Sequence, residues 1–142
     1  MEGDALRDHA PHLTVKRDRR RLTYQHAALR VPGRHTPAQV RIEFWADAPE
    51  TYGLPPQDYP TVRVDPSLPS PHRMPDRSLC LFYPDDPPER RWIAHRDGLN
   101  TLLVLIEHHL FAEDVWRMSG GEHGGVWVLD EAPHGLREDE RR

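Results

Sequence analysis

Two reactive side chains are almost missing from this chain: among 142 residues there is one cysteine, Cys80, and one lysine, Lys16. A single thiol closes no internal disulfide and is kept reduced in cytosol, so the cytoplasm is the expected compartment. Long apolar runs are missing too. None exceeds the five residues of 102–106, against the roughly 20 that a bilayer requires, and the opening MEGDALRDHAPH lacks the apolar centre of a signal peptide. A soluble, unexported chain with no membrane partner is expected. An excess of positive charge is also lacking: 19 bases face 23 acids, for a net charge of −4, so no chain-wide field draws in nucleic acid. The scarcity of lysine leaves 18 arginines. That pattern suits a protein that handles amine-reactive chemistry and offers few amines of its own, but arginine-, alanine- and proline-rich codon usage explains it first.

What is present suits one loop-rich α+β domain. Hydrophobic residues make up 37%, charged residues 30%, and there are 15 prolines, too apolar a mixture for disorder and too rich in proline for a helical bundle. Residues 1–20 read as an N-terminal arm or short helix. They lead into the basic run Lys-Arg-Asp-Arg-Arg-Arg at 16–21, a solvated surface or a docking patch for an acidic partner. Strand-like stretches follow at 22–31, 39–45 and 61–64, the second alternating Val40, Ile42 and Phe44 with polar neighbours. Between the first two, VPGRHTP is a turn. Prolines 66, 69, 71 and 75 forbid a regular helix or central strand over 65–76. The apolar stretch SLCLFY at 78–83 is read as a fourth strand. Helical spacing of Leu99, Leu103, Ile106 and Leu110, with Leu102 and Leu105 beside them, predicts a helix over 98–118. Asp97 is its expected N-cap and Gly120 its stop. Glycines 120, 121, 124 and 125 precede an apolar strand or turn, VWVLDEAPHG. The domain is expected over 21–135, with a charged tail over 136–142.

Cys80 is the only soft nucleophile. On its own, a cysteine between Leu79 and Leu81 reads as a packed residue. Its wider setting changes that reading. The segment Ser70-Pro71-His72-Arg73-Met74-Pro75-Asp76-Arg77-Ser78-Leu79-Cys80-Leu81 resembles the active-site segment of ubiquitin-conjugating enzymes, in which His-Pro-Asn precedes Gly-x-x-Cys-Leu by the same interval. Pro71 matches the proline and Cys80 the thioester cysteine. His72 stands at the asparagine, Ser70 replaces the histidine and Arg77 the glycine. Trp92 resembles the tryptophan after the active-site strand, GLNTLLVLIEHHL the following long helix, and Tyr59-Pro60 the Tyr-Pro pair before the third strand. LCLFYP together with Trp127-x(3)-Glu-Ala-Pro-His134 is most similar to the bacterial members encoded beside antiphage conjugation genes, which handle ubiquitin-like proteins or the C-terminus of a CBASS cyclic-nucleotide synthase. Beyond Leu110 the paired C-terminal helices of the eukaryotic members are not recognisable.

The resemblance implies a four-stranded antiparallel meander followed by a long helix packed across the sheet, with Cys80 at the end of the fourth strand in an accessible groove within reach of His72. It implies an acyl transferase that carries a ubiquitin-like protein, or a cyclase C-terminus, as a thioester on Cys80 and passes it to an amine of a target protein, working with or without an activating enzyme as a further partner. His72 then stabilises the oxyanion, accepts the proton of the attacking amine, or only anchors the loop. Asp85, Asp86 and His134 are candidates to orient the amine or support the groove, although a solvated loop explains the two aspartates first and a structural cap explains His134 at least as well. Neither a metal nor an organic cofactor is expected. His95, His108, His109, His123 and His134 lack the spacing of a closed zinc site, with no Cys-x-x-Cys, His-Glu-x-x-His or His-x-His. Trp92, Trp116 and Trp127 are read as core residues. The rival readings are a catalytically silent adaptor of the same fold that binds a ubiquitin-like protein, and a Cys80–His72 hydrolase, for which no third orienting residue is evident.

Overall fold

In the computed structural model, residues 8–129 are described. Four strands form one antiparallel sheet in chain order: β1 (Leu13–Arg17), β2 (Arg21–Leu29), β3 (Ala38–Trp45) and β4 (Pro60–Asp65). Alternation sets the register. On β3, Ala38, Val40 and Ile42 are buried while Gln39 and Arg41 face solvent, and Ile42 lies opposite Tyr24 on one side and Val62 on the other. A one-residue slip would turn the apolar row outward.

The α+β meander agrees with expectation, but two strands lie elsewhere than expected. Residues 13–17, assigned above to an arm or short helix, form β1 against β2. The turn between these strands is closed by Asp18, whose Oδ1 accepts the backbone N–H groups of Arg20 (2.8 Å) and Arg21 (3.0 Å). The basic run is thus a β-hairpin, which an average over its charge and hydrophobicity does not reveal. Conversely, 78–83 is no strand. Its regular pairing is limited to one bridge, Arg73 to Leu79, so Cys80 does not end a fourth strand.

A long helix, Ala94–Met118, follows. Gly98 breaks it with φ 77°, so the regular portion begins where the periodicity placed it. The expected N-cap is a correction: the Asp97 carboxylate turns back to accept the N–H of Ile93 at 2.7 Å, and the helix has no side-chain cap. Leu102, Leu103, Ile106 and Leu110 are fully buried and join Val40, Ile42, Val62 and Val64 of the sheet in one core, with Leu79, Leu81, Phe82 and Trp92. Among the described residues no helix is long and apolar enough to cross a membrane.

At the β2 bulge, where the register with β3 shifts between His26 and Leu29, His26 is buried. Ala28 donates its N–H to His26 Nδ1 at 3.1 Å, so the ring proton sits on Nε2 and is donated to His9 Nδ1 at 2.9 Å. Burial, with His9 and His12 beside it, lowers His26 from 6.5 to about 4. Unfolding therefore takes up a proton between these values. The stabilisation is complete above pH 6.5 and declines as the pH falls towards 4. Urea midpoints across that window should fall with pH, and His26→Gln should flatten the decline; parallel profiles for the two proteins would contradict the assignment.

Candidate active site

The residues 72–80 form a loop closed upon itself. Met74 donates its N–H to Ser78 O (2.9 Å), Arg77 donates to Met74 O (2.8 Å), and Cys80 donates to His72 O (3.1 Å). The eight-residue separation of His72 and Cys80 therefore collapses to one hydrogen bond. Leu79 in turn donates to Val62 O at 2.9 Å, tying the loop to β4. Arg77 has φ 71°, the left-handed region that favours glycine. This is the position at which the motif discussed above carries glycine. Asp76 stiffens the turn: its Oδ1 accepts from the N–H and hydroxyl of Ser78, and its Oδ2 pairs with Arg63 at 3.1 Å. Burial alone would raise the Asp76 carboxyl, but the Ser78 and Arg63 contacts outweigh it and hold the group below its ordinary value.

Neither central side chain is open to solvent. Cys80 is 2% exposed and His72 0%, which corrects the expected accessible groove. The physical reason lies in the packing around the closed loop. Cys80 Sγ lies 4.0 Å from Phe82 O, Phe82 and Leu79 belong to the core, and the Trp127 ring stacks on His72 with centroids 4.0 Å apart. Tyr59, the buried neighbour of Phe82, has its phenol pushed up by burial, with Tyr52 and then Cys80 adding to the effect.

The supporting candidates part company. Asp86 is buried, its carboxylate accepting the Tyr83 N–H at 2.8 Å while its own N–H closes the turn onto Tyr83 O. That is a turn-holding role. Asp85 beside it is exposed. His134 lies outside the described residues. Trp92 is a core residue, donating to Gly98 O at 2.8 Å, whereas Trp116 and Trp127 are half-buried. No group of three His, Cys, Asp or Glu residues among those described is gathered to hold a metal ion.

A buried polar cluster behind the loop went unread in the sequence. Arg73, adjacent to His72, makes a two-pronged pair with Glu113 of the long helix (2.7 and 2.9 Å). His109 Nε2 lies 3.2 Å from the same carboxylate. Both helix residues are completely buried. Burial would raise the Glu113 carboxyl, but His109 and Arg73 hold it at about 2. The signal was available: His109 and Glu113 continue the buried row of Leu102 and Ile106 at helical spacing, so two polar side chains occupy core positions. Comparison with protein-family models, curated proteins and solved structures finds no match for this chain.

Arg73→Ala strands a buried carboxylate and should cost roughly 3–5 kcal/mol, read from denaturant midpoints; a loss near zero would mean that the pair does not hold the loop. Since the Glu113 carboxyl is depressed from 4.5 to about 2, its stabilisation is complete above 4.5 and vanishes through about 2, so the penalty of Arg73→Ala should shrink in acid. Arg77→Gly, by contrast, relieves a left-handed residue whose strain is about 1 kcal/mol. It should be tolerated or stabilising, whereas a clear loss of stability would show that the Arg77 side chain contributes more than its backbone costs.

Proposed function

We propose that the chain is an acyl carrier similar to ubiquitin-conjugating enzymes, holding the C-terminus of a ubiquitin-like protein or of a cyclase as a thioester on Cys80. The Cys80 thiolate attacks the donor's thioester carbonyl, a new S–C bond forms, and the donor thiol leaves. An amine of the target then attacks the Cys80 thioester; an amide forms, the thiolate departs, and the amine's proton passes to a base. The observation that carries this reading is the closure of the 72–80 loop, which puts His72 and Cys80 one backbone hydrogen bond apart. The left-handed Arg77 at the motif's glycine position and the meander-plus-helix order support it. In this reading, proximity and oxyanion stabilisation by His72 supply the catalysis.

A second reading is favoured by one observation, the burial of Cys80 and His72. There the chain is a silent module that binds a ubiquitin-like protein, and Cys80 is a packed core residue.

A fluorescent peptide bearing a C-terminal alkyl thioester, resolved by non-reducing electrophoresis, separates the two. A thiol-labile adduct should form on the native chain, be lost in Cys80→Ala, and either persist as a more stable oxyester or disappear in Cys80→Ser, because an alkoxide leaves less readily than a thiolate. His72→Ala should still load, yet discharge to an added amine roughly 10²–10³-fold more slowly. An adduct undiminished in Cys80→Ala, or no adduct on the native chain, rejects the carrier; normal discharge by His72→Ala returns that histidine to a structural role.

A further inference from the structure

The chain after the long helix doubles back along it. Gly125 donates its N–H to Gly121 O at 2.8 Å, and a Cβ on Gly125 would lie 2.5 Å from Trp116 O and 2.7 Å from the Gly121 backbone. Only glycine lets the two backbones meet this closely. From there residues 126–129 run back towards the helix middle, because Trp127 meets the His109 ring at 5.2 Å, edge to face. Trp116 and His109 are separated by seven helical residues, about 10 Å of rise.

This returning segment is thinly held. Val126 donates its N–H to Ser119 Oγ at 2.7 Å, and the side chains alternate: Val126 and Val128 are 54% and 49% exposed, while Trp127 between them turns inward over His72. Its indole N–H is buried and meets no acceptor among the described residues. An unmet buried donor destabilises the arrangement that buries it. In an open arrangement the indole N–H would meet water, so the unmet donor works against the stacking that holds the segment closed. The bed under the ring is fixed by comparison, since the two-pronged Arg73–Glu113 pair ties the loop to the helix.

We propose that residues 126–129 form a displaceable strap, pinned over His72 by the Trp127 ring and hinged at the glycine turn, and that lifting the strap opens the His72–Cys80 loop to an incoming protein chain. The opening rests on no chemistry; its consequence for acyl transfer rests on the function proposed above. Closed, the strap keeps His72 from any substrate. Lifted, it frees one face of the imidazole and exposes the Trp127 ring.

The test uses the full chain with 5-fluorotryptophan at its four tryptophans. The Trp127 resonance, identified by its loss in Trp127→Phe, should show exchange with a second state populated at about 0.1–10%, while that of the core residue Trp92 should not. A Trp127 resonance as static as that of Trp92 overturns the proposal. In parallel, iodoacetamide should alkylate Cys80 in folded Trp127→Ala roughly 10- to 1,000-fold faster than in the native chain, and an unchanged rate in a variant that still melts cooperatively also overturns it. Should that variant fail to fold, the fluorine measurement on the native sequence decides. Failure of the two ideas is distinguishable: a mobile strap on a chain that never accepts the peptide thioester removes the carrier and keeps the strap, whereas a loaded Cys80 beneath a static Trp127 does the reverse.

Discussion

The carboxylate of Glu113 is the point on which the rest of the molecule hangs. A charge this deep in a protein is costly unless it is paired and hydrogen-bonded, and here the two-pronged Arg73 guanidinium supplies both, with His109 Nε2 3.2 Å from the same carboxylate. The next residue, Asp114, faces the other flank and takes a two-pronged pair from Arg34 at 2.7 and 2.9 Å. Successive acids on one helix therefore grip two loops, the β2–β3 turn through Arg34 and the 72–80 loop through Arg73. The apolar core brings helix and sheet together without choosing a register between them. These two forks, which demand planar alignment of guanidinium and carboxylate, are directional where hydrophobic contact is not.

Elements whose sequence reports a single periodic environment were legible. β3 alternates because one face is wet and the other dry, and the helix from 98 onward repeats its leucines because one stripe faces the sheet. The VPGRHTP turn was equally legible, with Arg34 donating its N–H to Val31 O at 3.0 Å. Failure came where the environment is set by something distant. β1 is an edge strand with four of its five residues exposed, so it carries no alternation to read. The stretch 78–83 is apolar because it fills the core, and apolarity alone does not distinguish a packed coil from a strand. Asp97 has the chemistry of a cap, yet the break at Gly98 turns it towards Ile93 instead.

The site was legible in its spacing and illegible in its exposure. Proline-stiffened residues, a histidine and a cysteine eight residues apart pointed to an irregular segment with His72 within reach of Cys80, and the structure joins the two through a backbone hydrogen bond rather than at the end of a strand. Burial of the two side chains is a property of their surroundings, of Phe82 beside Cys80 and Trp127 on the His72 ring, and no local pattern encodes it. The charged anchor was hidden for a related reason. Arg73 and Glu113 are 40 residues apart, and although Glu113 falls on the buried row of the helix, nothing local marks Arg73 as its partner.

The hairpin between β1 and β2 has an electrical consequence. Its tip, residues 16–21, holds five bases and one acid within a chain whose net charge is −4, and that acid, Asp18, is turned onto backbone N–H groups. The turn is accordingly a local concentration of positive charge, in which Arg20 and Arg21 pair with Asp47 and Glu43 while Lys16, Arg17 and Arg19 face solvent. A negatively charged surface draws this turn towards it, and the pull weakens as salt shortens the Debye length.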